Sequence, residues 1–556
     1  MESTLEGVSK KCSVWSLSPV LLFAFLVALL LYVFLFAPVT ITLDGYSHLY
    51  GGEALRLMLG GQPQFHGAFS YNSILVPNWL DSLFLAAMSA IVANELALKL
   101  QIILIGTVFI SSLYFCIDAT LYHRRQRAQI LIVLLPFTLN AFLSLGFYDF
   151  LISSSLCLFV LGLVLRHGLG MPLRLQCVTA CLLLVAYFAH PVPVIISFLY
   201  PCAYFIADAV IHWRDGWRCY FATALKRNAL GSWPWLFPAC ILPWFYLRLS
   251  RVSGWPGAKP AAGSTTFTWL HRIVALARDA FLPISPTPDV AALLNALLSI
   301  LLVGVLLCPR KLFAQSPLRF TSLTALLVSI MGIYLMVPDQ VGDGSGIVDR
   351  LLLHFAIFLV LLALSSGVFN AQLLTLCSLV AALAVIGFAG EYLLISRRMA
   401  PQVAEVRSAM ESIPRHSRIL IMGYRMTPSY CPGPRLLNMT SPERHWAMAG
   451  ALKNELIVLN DYQADFSHFP LKYLTSRYAG IINEVDVSGE LNRAAWFETL
   501  KSDPDVDFVL SWGISRDPAC SNSIDPPFEE ALKYRYEMVF FRQGSSRVEL
   551  WRKRGG

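Results

Sequence analysis

Hydrophobic and polar positions alternate along this chain in long blocks. No charge occurs from Ser13 to Leu43, and "ITLDGYSHLYGGEAL" (41–55) then brings in an aspartate with a histidine four residues later. A bilayer core needs about 20 mainly apolar residues per helix. Eleven runs meet that pattern, near 17–38, 98–118, 129–147, 150–166, 175–190, 192–211, 232–249, 290–308, 319–337, 351–367 and 373–395. The first is too long and uninterrupted for a signal-peptide core, so it is expected to remain as a helix. A further apolar stretch, 74–93, is read as a helix at the outer interface with Trp79 near the headgroups.

Charge then sets direction. Lys10/Lys11, Arg124/Arg125/Arg127, Arg166/Arg174, Arg214/Arg218/Lys226/Arg227 and Arg310/Lys311/Arg319 all fall on one side when the spans are numbered in order. Basic loops stay inside, which puts the N-terminus inside and Asp44 outside. An odd count also places everything after residue 400 outside. There the pattern changes period: "SRILIMGY" (417–424), "DFVLSW" (507–512), "YEMVFFR" (536–542) and "SRVELWRK" (546–553) read as strands, with helix-like stretches at 442–453 and 494–502. The expected organisation is a polytopic α-helical membrane domain over 1–399 and a small α/β domain over 400–556.

Composition agrees with the blocks. The chain has 556 residues, 56% of them hydrophobic and 14% charged, against about a quarter charged in soluble domains. Its net charge of +8 lies in the short basic loops, which fits membrane orientation and argues against a nucleic-acid surface. Ten of the twelve cysteines lie in or near spans, where Cys behaves as a small hydrophobe. Cys431 and Cys520 belong to the outer domain, and whether they pair is left open by the sequence. No Cys/His spacing resembles a zinc site and no glycine-rich phosphate loop occurs.

The outer loops 39–97 and 250–289 are long while the inner ones are short, which points to function on the outer face. A helix starting at Asp44 puts His48 on the same face, with Tyr46, Leu49, Tyr50, Leu57 and Met58 forming an apolar stripe suited to the membrane surface. Asp44 either caps that helix or serves as a base. Arg350 begins the tenth span with His354 one turn further in, a pair suited to a lipid phosphate, although an arginine there also snorkels simply to the interface. His271 and Arg272 have the same standing; Arg56 and His66 are weaker. Glu53, Asp149 and His190 lie at outer span ends, where a helix cap or a span terminus is the bland alternative for the last two. Asp339, Asp343 and Asp349 surround "VGDGSG", and His445, Trp446, Asp461 and Tyr462 suit carbohydrate contact and packing equally.

A first span followed at once by "LDGYSHLYGGEALRLMLGGQP", with an interfacial helix before the second span, resembles the GT-C superfamily of integral-membrane glycosyltransferases. Aminoarabinose transferase and protein O-mannosyltransferase type enzymes are members. The likeness is close over the first loop and looser over the span plan and outer domain. It implies transfer of a sugar from a polyprenyl-phosphate donor to a hydroxyl of a glycan, lipid or protein acceptor, with inversion, on the outer face of a membrane such as the bacterial inner membrane. It further implies Asp44 as general base and cations such as Arg350, His354, His271 and Arg272 on the donor phosphate, while many members carry Asp-Glu or Asp-x-Asp where this chain has the single Asp44. The second acidic residue of the superfamily matches Asp149, as a partner of the acceptor or of a divalent cation, whose ligands the sequence does not identify. Chemically one carboxylate suffices, because a lipid phosphate leaves as a stable anion, whereas a glycosidase must protonate its leaving group.

Two other classes compete. A transporter places charged groups at mid-membrane, and these spans are nearly free of acidic residues. A non-catalytic scaffold or carbohydrate-binding component of envelope assembly differs from an enzyme in one geometric respect: Asp44, Asp149 and Arg350 need not converge.

Overall fold

The computed structural model describes residues 14–73, 75–120, 126–212, 317–337, 346–365, 371–423, 445–465, 469–474, 505–514, 526–544 and 547–555, with isolated positions at 232–303, 500 and 503. Its helices begin with α1 (Val14–Phe36), α2 (Gly45–Leu59) and α3 (Pro63–His66), followed by strand β1 (Phe69–Tyr71). Next come α4 (Leu80–Ser89), α5 (Asn94–Thr120), α6 (Arg127–Leu134), α7 (Ala141–Leu145), α8 (Tyr148–His167), α9 (Leu173–Ala189), α10 (Pro191–Ser197) and α11 (Leu199–Ile211). After these lie α12 (Pro317–Met336), α13 (Ile347–Ser365) and α14 (Ala371–Glu411). The C-terminal part contains β2 (Arg418–Gly423), α15 (Trp446–Lys453), β3 (Ile457–Val458), α16 (Tyr462–Asp465), β4 (Leu471–Tyr473), β5 (Phe508–Ile514), α17 (Pro526–Arg535), β6 (Tyr536–Gln543) and β7 (Arg547–Lys553).

Among the described residues eight helical segments are long and apolar enough to cross a membrane, and α9 is a shorter apolar helix. Nine of the eleven expected runs are therefore helical; those at 232–249 and 290–308 lie largely outside the described residues. Two runs are interrupted. Pro136 stands in a 3₁₀ turn, Leu135–Leu139, between α6 and α7, and Asn140 restarts the helix by accepting a hydrogen bond from the Leu143 amide at 3.1 Å. The run at 192–211 divides into α10 and α11.

Helix α14 runs past residue 400 without a break and continues to Glu411. Beyond its apolar half, Val403, Val406 and Met410 keep one face buried at helical spacing, so a single rod joins the spans to the sheet. That sheet has the order β3-β2-β5-β7-β6. β2 is parallel to β3 and β5, with Ile419 opposite Phe508, and β7 is antiparallel to β5 and β6. The four expected strands are β2, β5, β6 and β7; the helix-like stretch at 494–502 lies, apart from Leu500, outside the described residues.

The expected surface-lying stripe on α2 is corrected by the structure. Twelve residues of this helix are buried, covering every face, and only Gly51, Arg56 and Leu59 escape. Protein covers it. Tyr50 donates to the Leu456 carbonyl at 3.0 Å and accepts from the Val458 amide at 2.8 Å, and β1 pairs antiparallel with β4. The first loop and the C-terminal part therefore share a sheet and a core. The stretch at 74–93 becomes the short α4, fastened to the end of α9 by Asn78 N–H to Ala189 O (3.0 Å) and Trp79 N–H to Phe188 O (2.9 Å).

Candidate active site

The chain leaving α1 is fixed before it reaches Asp44. Ser396 of α14 bonds both the amide (2.8 Å) and the carbonyl (2.7 Å) of Val39, and the Ile41 amide donates to Tyr392 at 2.9 Å. The next residues lie along the α7 to α8 turn through Leu43 N–H to Ser144 O (2.8 Å) and Asp44 N–H to Leu145 O (3.1 Å). Two glycines permit this approach. Gly146 has φ +82°, and a Cβ on it would be 3.1 Å from the Asp44 Cβ; a Cβ on Gly45 would be 2.7 Å from the Tyr148 hydroxyl.

Asp44 then stands at the N-terminus of α2, but its side chain makes no capping hydrogen bond. Its carbonyl receives the His48 amide at 2.9 Å, while its carboxylate, about 11% exposed, faces His445 Nε2 at 3.3 Å. His445, fully buried, comes from the residue before α15. The C-terminal part thus reaches the carboxylate that the first loop supplies.

His48 turns toward α4, where its Nδ1 contacts the Asp81 carboxylate. Burial drives the imidazole toward its neutral form, and the Asp81 charge more than offsets this, so its pKa lies above the ordinary histidine value. For Asp81 burial favours the protonated form, and His48 followed by the Asp149 hydrogen bond reverses the direction, leaving it below the ordinary carboxylate range. Asp149 also accepts the Asp81 amide at 3.1 Å. Asp81 was not singled out from the sequence. Its signal was a lone charge inside the apolar "NWLDSLFLAAMSA", which membrane-embedded segments rarely carry without a role.

Phe150, next to Asp149, gathers the remaining expected groups. Arg350 is buried over the rings of Phe147 (5.0 Å) and Phe150 (5.5 Å), His354 meets Phe150 edge to face at 5.8 Å, and His190 does so at 5.6 Å. Arg350, His354 and His190 thus share one aromatic neighbour, Phe150, whereas the Asp149 side chain turns to Asp81. His354 Nδ1 lies 2.9 Å from the Arg350 carbonyl. A carbonyl accepts only from N–H, so Nδ1 carries the proton that meets the Arg350 carbonyl. His190 Nδ1 accepts from the Val192 amide at 3.3 Å and so caps α10.

Other expected residues are placed elsewhere. Glu53 is held by a two-pronged pair with Arg56, at 2.6 and 2.7 Å, and His66 Nε2 bonds the Met58 carbonyl at 2.9 Å. Arg272 donates to the carbonyls of Tyr334 and, at 2.6 Å, Val337, closing the end of α12. His271, Asp339, Asp343, Cys431 and Cys520 lie outside the described residues. On the C-terminal side, Asp461 accepts from Ser47 at 2.6 Å. The seam between α2 and that side, lined by Tyr50, Ser82, Asp461 and Phe469, leaves only about 10 Å³, barely the space of one water. Among the described residues no group of three or more His, Cys, Asp and Glu side chains is arranged to hold a metal ion.

No protein-family model and no curated protein sequence matches the chain. Solved structures do. ArnT from Cupriavidus metallidurans in the apo state aligns over 97% of this chain and 98% of its own at 11% identity, with TM-score 0.51. The same protein bound to undecaprenyl phosphate gives 96%, 97%, 11% and 0.48. An Archaeoglobus fulgidus oligosaccharyltransferase tethered to an acceptor peptide covers 90% of this chain and 69% of its own at 14% identity, with TM-score 0.43. At such identity the likeness speaks for the fold. The chain shares the fold of the apo ArnT structure over nearly its whole length.

Proposed function

We propose that this protein is a membrane glycosyltransferase that moves a sugar from a polyprenyl-phosphate donor to an acceptor hydroxyl, with Asp44 as general base. One observation carries the reading: Asp44, just after α1, has its backbone fixed by the Leu145 carbonyl and the His48 amide, while its carboxylate spends none of its oxygens on capping α2 and faces His445. A group placed at such structural effort and left available to a proton suits general-base work. The GT-C fold supports the reaction class.

In this mechanism the acceptor hydroxyl approaches Asp44 and gives up its proton as the oxygen attacks the anomeric carbon. The bond to the lipid phosphate breaks on the opposite face, so configuration inverts. Charge grows on the leaving oxygen, and Arg350 is a cation suited to meet it, since the Phe147 and Phe150 rings beneath it hold its guanidinium. His354 keeps the turn that presents Arg350. His445 orients the base, and His48, Asp81 and Asp149 hold α2, α4 and α8 in register behind it.

The test is transfer by the purified protein reconstituted with a panel of polyprenyl-phosphate sugars, compared with Asp44→Asn. The amide keeps the size and loses the basicity, so transfer is expected to fall about 10²–10⁴-fold. Equal turnover removes Asp44 from the chemistry. No turnover by either form with any donor, while glycan binding persists, favours a carbohydrate-binding component of envelope assembly.

A further inference from the structure

The same transmembrane helices that carry the outer cluster end, on the opposite membrane face, in a second polar constellation. Asp118, near the end of α5, accepts from Arg127 at the start of α6 (3.1 Å) and from Arg166 in the last turn of α8 (2.9 Å). Two cations meet one carboxylate, which leaves one positive charge in excess. All three side chains are 33 to 43% exposed, and the Arg166 guanidinium lies 4.8 Å from the centre of the Phe115 ring.

From this polar end a groove of about 340 Å³ leads along the helices. Its walls are Phe23 of α1, Ile110 and Tyr114 of α5, Leu131 of α6 and Phe159 of α8. Each of these is partly exposed, so the groove opens sideways between spanning helices. Its volume is that of a small-molecule site. The width depends on one residue: a Cβ on Gly162 would be 2.4 Å from the Phe115 ring, so the glycine lets that ring withdraw.

An apolar trough within the span region, closed at one end by surplus positive charge at the membrane surface, matches one class of molecule. The geometry points to a bound anionic phospholipid of the leaflet opposite Asp44. Its phosphate meets Arg127 and Arg166, and an acyl chain lies between Phe23 and Phe159. A zwitterionic lipid fills the trough equally but lacks the charge match. Arginines at a membrane surface gain about 1 kcal/mol each from anionic lipid. The inference stands apart from the proposed transfer reaction, because no residue of the Asp44 cluster contributes to it.

Native mass spectrometry of the full chain, released from nanodiscs of mixed phosphatidylglycerol and phosphatidylcholine, tests it. One phosphatidylglycerol is expected to stay bound. A phosphatidylglycerol carrying a diazirine in its acyl chain should label Ile110, Tyr114 or Leu131. Arg166→Gln is expected to lower retention about 5-fold, the equivalent of about 1 kcal/mol. Ile110→Trp fills the trough without touching the polar end and should abolish labelling while the protein still elutes as a single species, which decides the matter if the arginine variant does not fold. Equal retention of phosphatidylcholine, or retention unchanged in Ile110→Trp, overturns the inference. Displacement of the lipid by millimolar inorganic phosphate alone also overturns it, by showing a simple phosphate site.

Discussion

Helices α5 and α8 each carry charge at both ends, and the two ends are built by opposite rules. At the Asp44 end, Asp81 and His445 are fully buried, His48 and Asp44 are 6 and 11% exposed, and contacts from different elements hold each of them. At the other end, Asp118, Arg127 and Arg166 are a third or more exposed. Burying a charge costs several kcal/mol, which only complete geometry offsets, so removing one partner strands the other. An exposed pair contributes about 0–1 kcal/mol. The Asp44 end therefore holds a rigid constellation in place, whereas the opposite end leaves its charges partly in water.

The largest expected effect comes from Asp81→Ala. It leaves the His48 imidazole buried against a cavity, and a loss of about 3–5 kcal/mol is expected, read as a lower unfolding temperature in detergent. Asp81→Asn keeps the volume and should cost less. A loss under about 1 kcal/mol for the alanine variant makes the two ends equivalent and ends the comparison. Gly146→Ala comes next. Its left-handed conformation costs a residue with Cβ about 1–2 kcal/mol, and the new methyl pushes on the Asp44 backbone. Transfer should fall in this variant even at temperatures where the protein stays folded.

Acidity sharpens the same contrast. His48 has a raised pKa in the folded protein, so its contribution to stability is fully present below the ordinary histidine value of about 6.5 and disappears as pH rises through the higher folded value. Asp81 has a lowered pKa, so its contribution is present above the ordinary carboxylate value and disappears as pH falls through the folded one. The unfolding temperature is expected to have a plateau between these limits and to decline from near-neutral pH upward. Asp81→Asn should remove the alkaline decline, because the imidazole then lacks the charge that raises it. An identical alkaline slope in both forms assigns the decline to other groups.

How much of this was legible in the sequence depended on the range of each interaction. Spans follow from composition within one window: among the described residues nine of the eleven runs are helical, eight of them long enough to cross a membrane. Asp44 and His48 were singled out together because their relation is local, one turn of helix, whereas their side chains turn to different partners, His445 and Asp81. Glu53 and Arg56, three apart in a helix, bear the mark of a local ion pair. Asp81 was passed over because its apolar surroundings were read as an interface helix, and its partner His48 is in another element. His445 approaches Asp44 from the far end of the chain, and β1 and β4 are three residues each, too short to announce a sheet. For the same reason α2 was expected on the membrane surface: an apolar stripe says that something covers it, and only tertiary structure says what.

The smallest predicted effect is also the most discriminating. Arg127→Ala removes one of two cations from Asp118, and Arg166 remains on the other oxygen at 2.9 Å. The carboxylate keeps a partner and stays partly in water, so the loss of stability should be no more than about 1 kcal/mol. Raising the ionic strength from 0.1 to about 1 M shortens the screening length from about 10 to 3 Å, and the small difference between Arg127→Ala and the parent protein should vanish. The loss in Asp81→Ala should survive that salt, because ions do not enter the packed seam between α2 and α4. Equal salt sensitivity at both ends means that water and ions reach His48 and Asp81 as freely as they reach Arg127, and the buried character assigned to the Asp44 end is then wrong.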